Sequence, residues 1–168
     1  MRDLSQSEKL AFWAAWGTEH HCGRYDRLLA YYPDLEEAFA LARQGRRAGL
    51  DFLPAGTAER LIEGTETGFV DRLLEQYDRL GLDICLRADP RYPPLLLQIG
   101  APPSVLYVKG RLPAELPLPL AIVGTRGPTD YGRQMAEVFG RALAKSGCCV
   151  ISGMAAGVDA CAARGALS

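Results

Sequence analysis

Two uniformly apolar runs, each closing on a glycine and each followed by a helical pattern, limit what this chain can fold into. PLAIVG begins at Pro119, and the stretch after it, TDYGRQMAEVFGRALAKSG, spaces its apolar residues at helical intervals. Thr129 is placed to cap that helix and Gly147 to stop it. CCVISG is the second apolar run, and VDACAARGAL opens a second helix. Val123 and Ile151 lie 28 positions apart, the length of one strand–helix–strand repeat. Strands apolar on both faces, alternating with helices, predict a right-handed βαβα unit of a Rossmann-like parallel sheet. A complete doubly wound sheet takes about five or six strands, whereas the span from Pro119 to Ser168 holds room for two. The expectation is that the sequence is the N-terminal piece of a longer protein, or that another copy completes the sheet.

Upstream the pattern is helical. Leu10, Phe12, Trp13, Ala14 and Trp16 give the first helix a broad apolar face, with Ser5 or Ser7 as its cap. A second helix begins near Tyr25 and stops before Pro33. Asp34 caps a third, which Gly45 ends; a fourth spans about 57–63. A fifth starts at Thr67, carries Phe69, Leu73, Leu74, Tyr77 and Leu80 on one face, and ends at Gly81. Most of the chain's 11 prolines then fall within residues 82–120, where LDICLR and SVLYVKG are the strand-like runs. Leu95, Leu96, Leu97 and Ile99 between them read as one helical turn packed on a core. The expected organisation is a small helical domain over 1–81, a proline-rich structured linker over 82–117 that docks along a sheet edge, and the α/β segment over 118–168.

Charge separates the halves. Residues 1–84 hold 10 Lys/Arg against 15 Asp/Glu, and residues 85–168 hold 9 against 5. A polyanion is expected to meet the second half and be repelled by the first. Nothing approaches the 18 or more apolar residues of a membrane span, and the N-terminus lacks a signal-peptide pattern. The five cysteines, Cys22, Cys85, Cys148, Cys149 and Cys161, are scattered and odd in number. This argues against zinc and disulfide frameworks and for a reducing cytoplasm.

Ligands of parallel sheets bind beyond the carboxyl ends of the strands. There lie Gly124-Thr125-Arg126-Gly127-Pro128-Thr129 and Ser152-Gly153-Met154-Ala155-Ala156-Gly157. Each loop leads into a helix N-terminus, where free N–H groups and the helix dipole attract anions. Glycine lets the backbone approach a phosphate, and Arg126 can fork across two of its oxygens. The alternative is that the glycines only make tight turns. Neither loop reads GxGxxG, no acid follows the second strand to hold a ribose, and no GK[ST] is present; dinucleotide and nucleoside-triphosphate sites are disfavoured. A nucleic-acid backbone or a mononucleotide remains, with no metal and no cofactor expected. His20, His21 and Cys22 lack ligand spacing and read as a solvated turn. At least one of Cys148 and Cys149 reads as a small core residue, Asp159 as a helix-start cap before a general base, and Trp13 and Trp16 as core. No nucleophile–base pair is apparent, so no catalytic residue is assigned.

With DPRYPPLLLQIGAPPSVLYVKG ahead of them, AIVGTRGPTDYG and CCVISGMAAGVDACAARGAL resemble the DprA/Smf family of DNA-processing proteins. The resemblance is strong over residues 83–168 and weaker before them, where the family has a helical domain of sterile-alpha-motif or helix-hairpin-helix type. It implies a cytoplasmic bacterial protein that binds single-stranded DNA in natural transformation, helps RecA load onto it, forms homodimers and has no firmly attached catalytic activity. Carried over by motif, Gly124, Thr125 and Arg126 stand at the family's phosphate-contacting turn, and Thr129 replaces its usual Ser. Ser152, Gly153 and Gly157 stand in its second glycine block, with Asp159 as the acid of that block. Ala156 and Ala163 depart from the Arg and His usual there. The first domain lacks a clear hairpin G-x-G, so no DNA contact is expected in it. Two other readings stay open: a Rossmann-type hydrolase of nucleoside monophosphates, and a helical protein-interaction adaptor.

Overall fold

The computed structural model of the chain describes residues 3–113 and 115–168. The chain divides between residues 114 and 115 into two units. The first opens with α1 (Gln6–Gly17). Ser5 and Glu8 form its capping box, the Glu8 carboxylate accepting the Ser5 N–H at 2.8 Å. Next come α2 (Cys22–Tyr31), α3 (Leu35–Arg43), α4 (Ala55–Glu63) and α5 (Phe69–Arg79). Asp34 caps α3 by accepting from the Glu36 N–H, and Gly45 and Gly81, both at positive φ, follow α3 and α5. Phe12, Trp13, Leu28, Leu50 and Leu61 are fully buried, and the Trp13 Nε1–H donates to the Leu61 carbonyl at 3.0 Å.

After Gly81 the chain forms β1 (Leu82–Leu86) and β2 (Val105–Lys109), paired antiparallel with Leu82 opposite Lys109 and Leu86 opposite Val105. Ile84, Leu86 and Val105 share one core with the helices. The expected boundaries at 81 and 117 therefore differ from those of the structure. The two strand-like runs satisfy each other's backbone, and β1 packs Ile84 and Leu86 against the helices of the first unit. Arg91 pins the proline-rich excursion between them, pairing with Asp83 and with Asp89 and donating to the Ile84 carbonyl. Tyr92 is buried and donates to the Pro103 carbonyl at 2.8 Å. Leu96–Gln98 form a 3-10 turn, but Leu95, Leu97 and Ile99 are exposed, contrary to the expected core-packed turn, whereas Tyr92 goes inside.

The second unit is the expected strand–helix–strand–helix. β3 (Pro119–Ala121) and β4 (Cys149–Ile151) pair in parallel, extended by the Ile122 N–H donating to the Ile151 carbonyl. α6 (Asp130–Lys145) and α7 (Val158–Ala166) pack tightly on each other. A Cβ at Gly140 would overlap the Ala162 carbonyl, and one at Gly165 the Glu137 carbonyl, so these glycines set the interhelical distance. Both strands are shorter than their apolar runs, and Leu120, Val123 and Ile151 are exposed. Among the described residues the sheet holds two strands, too few to cover both faces. For the same reason Cys148 and Cys149 are half-buried rather than core, whereas Cys161 is buried between the helices. No helix among the described residues is long and apolar enough to cross a membrane.

Candidate nucleic-acid interface

Both strand-to-helix loops leave the carboxyl edge of the β3–β4 pair and touch. Gly157, at φ +100°, lies so close under the first loop that a Cβ would overlap the Thr125 carbonyl and the Arg126 backbone. The Val158 N–H donates to the Thr125 carbonyl at 3.2 Å. Gly124 is likewise compelled, because a Cβ there would stand 2.8 Å from the Val158 side chain.

Asp159 joins the two loops. It is buried; its Oδ1 accepts from the Gly124 N–H at 3.1 Å and its Oδ2 from the Gly153 N–H at 3.2 Å. The expectation of a cap on its own helix gives way to a bracket between the loops, because its carboxylate faces both turns from the first turn of α7. The signal available in the sequence was its place as the acid of the second glycine block.

The remaining site residues divide by what they face. Ser152 donates its hydroxyl to the Ile122 carbonyl at 3.0 Å, back into the sheet. Thr129 caps α6, its Oγ1 accepting from the Gly132 N–H, and Thr125 Oγ1 accepts from the Gly127 N–H, each at 3.2 Å. Gly124 and Gly153 have given their amides to Asp159. Arg126 is exposed and forms no ion pair among the described residues. Its own N–H and those of Met154 and Ala155 have no protein acceptor among those residues. Met154 is exposed in a left-handed conformation, with φ of 55°. Gly124, Ser152, Gly153, Gly157 and Thr129 thus build the rim, and Arg126 with neighbouring free amides faces outward from it.

A helical unit carrying a β-hairpin, followed by a βαβα unit with two interlocked glycine loops and an exposed Arg126 on the first of them, defines a two-part α/β protein. The chain belongs to the DNA recombination-mediator protein A family, whose model matches residues 83–168. Over 163 residues it is 34% identical to Protein Smf of Synechocystis, covering 94% of this chain and 40% of that protein. It is 34% identical over 89 residues to the DNA processing protein DprA of Bacillus subtilis, covering 52% of this chain and 30% of that one. With Protein Smf of Escherichia coli it shares 40% identity over 76 residues, 45% of this chain and 20% of that protein. The chain thus spans two fifths or less of the length of these relatives.

Proposed function

We propose that this protein binds single-stranded DNA as a non-catalytic DNA-processing protein of recombination and natural transformation in the bacterial cytoplasm. In that role it protects incoming strands and assists RecA to load on them, acting as a homodimer. The observation that carries the reading is Arg126, an unpaired guanidinium beside free loop amides at the carboxyl edge of a parallel sheet. Amides and guanidinium together suit phosphate oxygens and carry no base information, as sequence-independent capture of a DNA backbone requires. Family membership and the printed name of the Bacillus subtilis relative support the same assignment.

The test is a fluorescence-polarisation titration of labelled oligo-dT with the chain at two salt concentrations. Replacing Arg126 with Ala removes one phosphate contact, so affinity falls and the slope of log K against log salt drops by about one. An unchanged slope removes Arg126 from the interface.

A further inference from the structure

Trp16 does not join Trp13 in the core. It is half-buried on α1, with the Arg60 guanidinium of α4 4.4 Å over its ring and Phe69 of α5 meeting it edge-on at 4.6 Å. Just past α1, Glu19 and His20 adopt left-handed φ values of 57° and 56°. His20 is exposed on one side and partly enclosed on the other, and its Nε2 lies 3.0 Å from the Tyr107 hydroxyl, the rings edge-on at 5.4 Å. Tyr107, on β2, is also exposed, and Tyr77 of α5 packs 4.9 Å from it. Trp16, Phe69 and Arg60 thus form one set and His20, Tyr107 and Tyr77 a second, with His20 and Tyr107 exposed.

Charge is the second observation. Several cations of this unit are neutralised, Lys9 by Asp71, Arg24 by Glu19, Arg47 by Glu59, Arg72 by Glu66 and Arg87 by Asp26. Arg60 forms no ion pair among the described residues, and its buried Nε–H has no acceptor. Burial first, and then the positive charge of Arg60, hold the His20 imidazole pKa below its ordinary value. The two sets therefore offer flat π faces beside one uncompensated cation. Single-stranded DNA repeats the complementary pair, a stackable base and a phosphate.

We propose that these side chains form a base-stacking contact for single-stranded DNA, with bases on Tyr107 and His20 and a phosphate at Arg60. The proposal rests on the single-stranded-DNA reading above and adds a contact in the unit whose net charge argued against one. The sequence expectation looked for hairpin amides, whereas this contact uses ring faces.

Polarisation titrations of the whole chain against oligo-dT and an abasic oligomer of equal length test it. Tyr107→Leu keeps an apolar side chain on an exposed strand position. It is expected to weaken oligo-dT binding about fivefold or more and leave abasic binding unchanged. Equal loss on both oligomers, or no loss on either, overturns the proposal. Should Tyr107→Leu fail to fold, quenching of tryptophan fluorescence in the unmodified chain decides: greater quenching by oligo-dT than by the abasic oligomer supports stacking beside Trp16, and equal quenching overturns it. If the chain binds neither oligomer, the single-stranded-DNA reading falls as well. Arg126-dependent binding that ignores Tyr107 removes only the stacking contact.

Discussion

Asp159 accepts the backbone N–H of Gly124 at 3.1 Å, tying the loop after β3 to the first turn of the helix after β4. With the Gly153 N–H on its other oxygen, a single buried carboxylate serves both loops. Two consequences follow for the rim. Those amides are withdrawn from any ligand, and the loops are held in contact before one arrives.

Asp159→Ala leaves both amides without their acceptor, and the second unit is expected to lose about 2 kcal/mol or more of stability. Asp159→Asn keeps one acceptor oxygen and loses about 1 kcal/mol. Urea unfolding followed by circular dichroism measures both; an unchanged midpoint for the alanine variant contradicts the bracket.

Gly157→Ala places a methyl group against the Thr125 carbonyl at a backbone conformation that L residues avoid. The combined strain and overlap cost about 2 kcal/mol or more. The loops separate, so oligo-dT affinity falls together with the thermal midpoint.

Gly165→Ala drives a Cβ into the Glu137 carbonyl and pushes α7 away from α6. Neither partner atom can yield, because both belong to helix backbone. An expected loss of about 2–3 kcal/mol appears as earlier unfolding of the second unit. Gly127→Ala, with nothing within reach of its Cβ, is the control and leaves the midpoint unchanged.

His20 makes the first unit sensitive to mild acid. Its imidazole pKa is held below the ordinary 6.5 by burial and by Arg60. The unfolded chain therefore binds more protons in the window just below 6.5, and stability rises with pH there. The contribution is complete above 6.5 and is lost as the pH falls through the folded-state value. Urea midpoints at pH 7.5 and pH 5 are expected to differ less in His20→Gln than in the unmodified chain.

Features that act within a few residues were readable from the pattern. The caps at Asp34 and Thr129, the stops at Gly45, Gly81 and Gly147, and the order of strands and helices in the second unit all appear where spacing placed them. The two glycine loops also sit together at one strand edge, as a parallel pair requires.

Other features depend on the path of the chain through space. No local pattern shows that Asp159 reaches a residue 35 positions away, that LDICL and VLYVK close on each other across a proline-rich excursion, or that Arg60 settles on Trp16. Apolar content likewise did not reveal that Leu95 and Val123 stay exposed while Tyr92 is buried. Periodicity reports which side chains favour a common face; which face meets which, and which donors remain free, is set by packing between distant segments. The rim was therefore legible as a location, and its division into bracketed amides and an outward Arg126 came only with the fold.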